Sequence, residues 1–599
     1  MRTLLLCCDT GCLATGSNQV HAALNHAIAD ANAGLQVEVQ VNVKATGCHG
    51  LCSNGPVVRI MPDDISYYKV KPADAPEIVA SAVSGLPVER FLYRRDDGSR
   101  VSSQADNPFY KLQKKVALRN VGLIDSADIN DYLATGGYNA LRKAQKMKPE
   151  VIIAEVERSG LRGRGGAGFP TGRKWRQCAS YKGDSAYPKY VICNGDEGDP
   201  GAFMDRSILE GDPHSVIEGL CIAALAVGAI KGFFYIRDEY ASALKHVQQA
   251  INQARQGGYL SLCGDDFDIE IVRGGGAFVC GESTALMTSI EGFVGEPRVK
   301  YVRSVEHGLW NQPTVLNNVE TLANIPVILS EGADRFAFLG TQNSKGTKVF
   351  ALVGHARRTG LVEASMGTTL RELIFDIGGG VEPNRTFKAV QTGGPSGGCI
   401  PASMLDLPVD FDSLEQHGAM MGSGGMIVMD DRACMVEVAR YYISFLSEES
   451  CGKCTPCREG LRRLLHILTD ICEGRGKPAD IGLMRTIAET MSVASLCGLG
   501  KSAANPVLTT LLYFPDEYEE HIREGFCRAG VCRALSSFTI NGPACSGCGM
   551  CLKTCPTGCI SGEVKQPHVI EPAGCITCGS CREVCRFGAV KVRKKAVSA

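Results

Sequence analysis

Cysteine is the residue type whose spacing speaks first in this chain of 599 residues, which holds 28 of them. Near the C-terminus, Cys545-x2-Cys548-x2-Cys551-x3-Cys555-Pro556 is followed by Cys575-x2-Cys578-x2-Cys581-x3-Cys585. In this spacing three close thiolates hold one iron–sulfur cube and the fourth reaches the neighbouring one. Cys545, Cys548, Cys551 and Cys585 are therefore assigned to one [4Fe–4S], and Cys575, Cys578, Cys581 and Cys555 to a second. Zinc sites usually use two CxxC pairs instead of this doubled pattern. Cys559 is left over and reads as a small buried residue.

Upstream, Cys451-x2-Cys454-x2-Cys457 offers three thiols with no fourth at the same spacing. Cys497 supplies a candidate, because amphipathic helices over 458–473 and 481–493 can fold back as a hairpin. At the N-terminus, Cys7-x4-Cys12 and Cys48-x3-Cys52 flank a helix-like stretch over 21–33 and a strand over 37–43. Four thiolates in two loops of a small α/β unit suit a [2Fe–2S]. Cys8 stands beside Cys7 and an exchange between them stays open; Cys7 is favoured because it leaves the x4 spacing. His521-x5-Cys527-x4-Cys532 would hold zinc if Cys434 or Cys472 brought a fourth ligand. The competing reading is two packed cysteines and a surface histidine.

The rest of the composition sets limits. At roughly 150 residues per domain the length suggests about four domains. Lys+Arg 63 against Asp+Glu 64 leaves a net charge of -1, without the basic excess of a nucleic-acid binder. The longest apolar stretch, 220–230, is too short to span a bilayer, and the start shows no export signal. The expectation is a cytoplasmic protein whose cysteines mostly bind metal.

Between the two cysteine-rich ends lies a different chemistry. Residues 158–176 read RSGLRGRGGAGFPTGRKWR. The stretch Gly163 to Gly168 matches GxGxxG, but a Rossmann fingerprint needs a preceding strand, and 151–159 reads as a helix. A glycine loop whose bare N–H groups and flanking Arg162, Arg164, Arg173 and Lys174 wrap phosphates fits better. A strand over 190–193 then runs into Asn194-Gly-Asp196-Glu197-Gly-Asp199, a polar rim of the kind where cofactors dock. A second glycine turn, 273–285, opens a helix, and Asn317-Asn318-Val-Glu320-Thr321 completes the set.

LRGRGGAGFPTGRKW, CNGDEGDPG, GGGAFVCGESTAL, NNVETLAN and ESCGKCTPCREG, in this order, resemble the NADH-binding flavoprotein subunit of respiratory complex I. They resemble more closely its relatives in soluble hydrogenases and formate dehydrogenases, over roughly residues 111–535. With its end domains the whole chain resembles the beta subunit of electron-bifurcating [FeFe]-hydrogenases and diaphorase subunits of related transhydrogenases. The resemblance implies a multidomain α/β plus α chain. Its parts would be a thioredoxin-like [2Fe–2S] domain (1–88), a linker (89–110), a Rossmann-like FMN and NAD(P) domain (111–335), a ubiquitin-like β-grasp domain (336–425), a helical bundle with one [4Fe–4S] (426–535) and a two-cluster ferredoxin domain (536–599).

It also implies site roles. Gly163, Arg164, Gly165 and Lys174 would line FMN and its phosphate, with Asn317 and Asn318 at the phosphate end. Asn194, Asp196 and Glu197 would sit by the ring and ribityl groups, Phe169 would stack on the dinucleotide, and Gly281 and Glu282 would approach the nicotinamide. Glu197 and Glu282 are the expected catalytic carboxylates. The resemblance makes Cys451, Cys454, Cys457 and Cys497 the ligands of the cluster nearest FMN and supports zinc at His521, Cys527 and Cys532. Ser283 and Arg303 depart from the family's second Glu and adenine-stacking Phe; Gln177 and Asp199 depart too. Losing an acid and gaining an Arg removes a barrier to NADP(H), although NAD(H) remains favoured. The implied activity is hydride transfer between NAD(P)H and FMN, then one-electron transfer through three [4Fe–4S] and one [2Fe–2S]. Partners would be a hydrogenase-, transhydrogenase- or dehydrogenase-type catalytic subunit, a small [2Fe–2S] subunit, and ferredoxin. The rival reading is a non-enzymatic electron-transfer scaffold with a degenerate flavin site; Lys174, Asn194, Asp196, Glu197 and Glu282 speak against it.

Overall fold

The computed structural model describes residues 2–33, 41–181, 188–299, 301 and 303–595. Part of the strand expected over 37–43, and Lys300 and Val302 of the nucleotide loop, lie outside them. The chain divides into two compact units. The first comprises Met1–Glu382, Thr392–Gly394 and Met404–Val428, and the second the remainder. This border does not follow the boundaries expected for a separate domain over 336–425.

The first unit begins with a four-stranded sheet in the order Val41–Thr46, Arg2–Cys7, Val58–Met61, Ile65–Tyr67. Apolar Leu4, Leu5 and Leu6 bury the central strand, and helices Ser17–Ala33 and Ala75–Ser84 pack together beside it. The parallel register sets Cys7 against Thr46, which brings the two cysteine loops to one end of the sheet.

A second sheet is entirely parallel, in the order Thr314–Asn318, Tyr190–Gly195, Lys231–Arg237, Asp268–Gly274. The inner strands are near-continuous apolar runs, as burial on both faces requires. Helix Pro213–Val227 is buried along almost its whole length. Asp212 caps it by accepting from the Ser215 N–H, and Gly228 ends it in the left-handed conformation at φ 73°, a backbone state glycine adopts without penalty. Register places Asn194 beside Asn318 at the C-terminal edge, where ligands of open α/β sheets bind. Strand Thr347–Gly354 runs antiparallel to Gly360–Ser365 and, over 351–354, parallel to 425–428.

The small N-terminal domain is seated by backbone contact against helix Met204–Gly211 and strand Gly360–Ser365. A Cβ on Gly47 would lie 2.5 Å from the Gly211 Cα, and one on Gly360 would lie 1.8 Å from the Gly50 carbonyl oxygen. Only glycine permits such approaches. Around them, the Thr10 N–H donates to Glu210 at 3.0 Å, and the Ser207 hydroxyl to Asp9 at 3.0 Å.

The second unit stacks helices Met435–Glu449, Thr455–Cys472, Ala479–Ala494 and Asn505–Tyr513. It continues into a pseudo-symmetric segment. Ser536–Ile540 pairs antiparallel with Val590–Lys594, and Ile560–Ser561 with Val569–Ile570. Phe538, Cys551, Ile560, Ile570, Cys581 and Val590 form its core. No helix among the described residues is long and apolar enough to cross a membrane.

One buried charge ties the first unit together. Lys348 and Glu320, both almost fully buried, form an ion pair. The ammonium also donates to the Val349 carbonyl at 2.9 Å. Glu197, Asp199 and Asp205 feel the same cation. Lys348→Met is expected to cost about 3–5 kcal/mol by stranding buried carboxylates. Burial already raises these acids, so stability falls as pH rises from the unfolded carboxylate range through their folded pKa values. The variant's deficit should therefore be smaller near about pH 5.5 than near about pH 7.5, as chemical denaturation at the two pH values would measure.

Candidate functional site

The glycine loop leaves helix Pro149–Arg158 and enters helix Thr171–Ser180, so its GxGxxG follows a helix, as the sequence implied. The four cations expected to wrap phosphate do not act alike. Arg164 is fully buried. Its guanidinium donates to the carbonyls of Arg162, Lys345 and Thr347, and its N–H donates to the Thr321 hydroxyl. Arg162 is spent on the Gly168 carbonyl and on Asp412. Both guanidiniums shape the loop instead of charging a pocket, which corrects the expectation for them. Arg173 lies over the half-exposed Phe169 ring at 5.8 Å.

Lys174 is different. Its ammonium donates to the Leu316 carbonyl at 2.9 Å, and burial alone lowers its pKa to about 8. A half-buried cation with no acid paired to it among the described residues suits an anionic ligand. Beside it, the Trp175 indole N–H donates to Asn317 Oδ1 at 2.9 Å. This fixes the amide so that Asn317 Nδ2 is buried without a partner among the described residues. The Gly163 N–H closes the glycine loop by donating to the Phe169 carbonyl at 2.9 Å. An orphaned amide donor and an ammonium with no acid beside it among the described residues fit a phosphorylated flavin.

At the sheet edge, Asn194 Nδ2 donates to the Gly281 carbonyl at 3.0 Å and Oδ1 accepts from the Asp196 N–H at 2.9 Å. Asp196 pairs with Arg237 at 3.2 Å. Asn318 donates to Asp205. Glu197 accepts the N–H groups of Asp205 and Arg206, both at 3.1 Å, and burial raises its pKa. Burial also lifts Asp199 to about 6, opposed by the Ser423 hydroxyl. Glu282 caps helix Ser283–Ile290, accepting from the Thr284 and Ala285 N–H groups at 2.9 Å. The two carboxylates expected to be catalytic are thus both engaged with backbone. Ser283 opens that helix, and Arg303 is exposed with Glu306 4.0 Å away.

Sequence reasoning missed Trp175, Asp205, Arg237 and Lys348. Lys348, a charge opening an otherwise apolar strand, was the one visible signal.

The thiols gather in the sets that spacing suggested. Cys7, Cys12 and Cys48 are buried, Cys7 interacts with Cys12 and Cys48, and the Cys48 and Cys52 sulfurs lie 3.8 Å apart. Cys8 packs against the apolar core of the N-terminal domain instead. Cys457 feels Cys451, Cys454 and Cys497. The hairpin of helices Thr455–Cys472 and Ala479–Ala494 returns the 495–500 loop to it, with the Gly500 Cβ position 3.1 Å from the Cys457 Cβ. In the C-terminal segment one cavity is lined by Cys545, Cys548, Cys551 and Cys585, and another by Cys555, Cys575, Cys578 and Cys581.

Cys434, His521, Cys527 and Cys532 are all buried, with one ligand atom of each within 4.8 Å of the others. His521 Nδ1 donates to the Glu517 carbonyl at 2.6 Å, leaving Nε2 3.4 Å from Cys434 and 3.3 Å from Cys532. The reading of a surface histidine is therefore overturned.

Residues 156–327 match the Nuo51 FMN-binding domain, 437–521 the NADH-ubiquinone oxidoreductase-F iron–sulfur binding region, and 2–82 the thioredoxin-like [2Fe–2S] ferredoxin family. The chain is 51% identical to the NADP-reducing hydrogenase subunit HndC of Solidesulfovibrio fructosivorans, covering 76% of this chain and 94% of that one. It is 45% identical to the F 2 polypeptide of NADH-quinone oxidoreductase from Rhizobium meliloti (strain 1021), covering 69% and 98%. The chain belongs to the NADH-quinone oxidoreductase-F family of flavoproteins. The crystal structure of an H2-reduced NAD+-reducing [NiFe]-hydrogenase aligns at 29% identity and a TM-score of 0.61, covering 87% of this chain and 84% of that one. This member of the oxidoreductase-F family is accordingly an oxidoreductase component that joins an FMN-binding domain to iron–sulfur domains.

The capping role of Glu282 has a direct check. Glu282→Ala is expected to lower stability by about 1 kcal/mol, and Glu282→Gln, which keeps an acceptor, by less. Thermal denaturation of the two variants compares them.

Proposed function

We propose that the chain is the NADH-oxidising diaphorase subunit of a larger redox complex. The observation that carries this reading is the pairing of Lys174, whose ammonium meets one carbonyl, with the Asn317 amide nitrogen beside it, unpartnered among the described residues. The pair is a fit for FMN phosphate, with Gly163 and Gly165 in the adjoining loop. When bound, FMN supplies a centre that accepts a hydride from a nicotinamide and returns electrons singly. The chain's contribution is placement. Asn194 and Asn318 hold the sheet edge, Lys174 and Asn317 hold the phosphate end, and Phe169, Gly281, Glu282, Ser283 and Arg303 border the nucleotide. Glu197 and Glu282 position backbone rather than move protons, since both already accept from N–H groups.

The thiol sets support one [2Fe–2S] at Cys7, Cys12, Cys48 and Cys52 and three [4Fe–4S] at the sets named above. Three thiols and one imidazole at Cys434, His521, Cys527 and Cys532 suit a structural zinc ion, with His521 oriented by a carbonyl as metal-bound histidines are. Separate cluster groups offer separate electron exits, the arrangement electron bifurcation needs. The partners would be a hydrogenase-, transhydrogenase- or dehydrogenase-type subunit and ferredoxin.

Nucleotide choice turns on Ser283 and Arg303. The relatives' names include both an NADP-reducing hydrogenase and NADH-quinone oxidoreductases. We take NADH as the preferred donor, with NADPH tolerated because no carboxylate stands at position 283. The anaerobically purified chain with FMN is expected to reduce a viologen dye with NADH, and more slowly with NADPH. Failure with both nucleotides despite bound FMN would falsify the enzyme reading. Ser283→Glu should lower the NADPH rate relative to NADH by about tenfold or more, because it sets like charges together.

Lys174 predicts a pH effect on flavin binding. In the apo chain it is protonated below about 8 and neutral above, whereas the phosphate favours the protonated form. FMN affinity should therefore weaken as pH rises through about 8, approaching tenfold per pH unit for one linked proton. Quenching of flavin fluorescence across this range measures it, and Lys174→Met should flatten the profile.

A further inference from the structure

The C-terminal segment contains two cavities built from one repeated cysteine pattern, and one difference between the repeats puts a thiol where the other has a methyl group. Cys585-Arg-Phe-Gly-Ala589-Val590 corresponds residue for residue to Cys555-Pro-Thr-Gly-Cys559-Ile560. The first cavity is lined by its four cysteines and by Ala589. The second is lined by its four cysteines and by Cys559. A fifth thiol therefore faces the second cavity where the first has a methyl group.

The geometry of that thiol is specific. Cys559 Sγ lies 3.5 Å from Cys555 Sγ. The Cys559 carbonyl accepts from the Glu571 N–H at 2.7 Å, and the Gly574 Cβ position lies 3.0 Å from the Cys559 Cβ. The backbone is thus held while the sulfur points at the cavity. Turning χ1 by one staggered well moves a cysteine sulfur roughly 3 Å, which is comparable to the gap between the two. A change of rotamer at Cys559 is therefore on the scale that separates its sulfur from that of Cys555.

We propose that Cys559 is a reserve ligand of the second [4Fe–4S] site, able to replace Cys555. This rests on the cluster assignment given under the proposed function. In the exchange the Cys559 thiol gives up its proton and bonds to iron, and the departing Cys555 sulfur takes that proton. One iron–sulfur bond forms and one breaks, and no electron is gained or lost. The second site thereby has two usable ligand sets, and the first has one.

The repeat supplies its own control. Iron and sulfide content, with electron paramagnetic resonance of the reduced protein, would be measured on the full chain made without oxygen. Cys585→Ala is expected to lose one cluster, about four iron atoms, because Ala589 offers no substitute. Cys555→Ala is expected to keep its iron, and Cys555→Ala with Cys559→Ala to lose it. Equal iron loss from Cys555→Ala and Cys585→Ala overturns the proposal. Should Cys555→Ala yield no folded chain, Cys585→Ala combined with Ala589→Cys decides. Restored iron supports a reserve ligand at this position, and unrestored iron overturns it. If neither Cys575→Ala nor Cys585→Ala changes the iron content, the cluster assignment itself has failed.

Discussion

One ammonium group, that of Lys348, offsets the burial of carboxylates drawn from distant parts of the sequence. Glu320 binds it directly, and Glu197, Asp199 and Asp205 lie within its field. Each of those acids organises something else. Glu320 Oε1 accepts from the Val349 N–H at 2.9 Å, and Asp205 holds Asn318 and the Glu320 N–H. Asp199 receives the Ser423 hydroxyl. The polar rim of the parallel sheet is therefore a network around one charge, and low local dielectric makes such a network strong only while every member is satisfied.

The same segment reaches the N-terminal iron–sulfur domain. Residues 197–211 begin with the buried Glu197 and end at Gly211, against which Gly47 packs. Between them Ser207 and Glu210 hold Asp9 and Thr10. Arg206, whose N–H caps Glu197, also acts electrostatically on Cys52. A shift in either neighbour must be felt by this short stretch, because glycine contacts at van der Waals limits leave no slack. The flavin-side rim and the Cys48–Cys52 loop are thus positioned by one piece of chain.

What the sequence made legible follows from how local each signal was. Ferredoxin spacing, the CxxCxxC triplet and the glycine loops are short-range patterns, and the cysteines they named meet in space. The helix hairpin that returns Cys497 was readable because amphipathic periodicity is local too. The choice of Cys434 over Cys472 was not, since a contact spanning Cys434 to His521 depends on tertiary packing. Arg164 and Glu282 looked like ligand-facing groups because composition shows charge but not direction. Their side chains turned out to satisfy buried carbonyls and a helix N-terminus, needs that arise only once the backbone is folded. Loop arginines beside glycines are ambiguous in this way, whereas Lys174, with one carbonyl and no acid among the described residues, is not.

A chain with this many thiols also carries some that belong to none of the sets, and several of these lie in the interior. Cys178, Cys193, Cys221, Cys280 and Cys399 lie inside the cores or nearly so. Burial pushes the Cys178 thiol up to about 11 and the Cys399 thiol up to about 12. Since the thiolate is the metal-binding form, such residues act as small apolar side chains. The cysteines proposed as ligands are not set apart by burial, since Cys7, Cys12, Cys48, Cys457 and Cys497 are buried as well. They differ in standing together, in loops and at helix starts, with Cys454 and Cys497 as N-cap residues and Cys548 and Cys578 exposed. Helix N-termini favour negative charge, so position in the fold, more than cysteine number, separates thiols that bind metal from thiols that fill space.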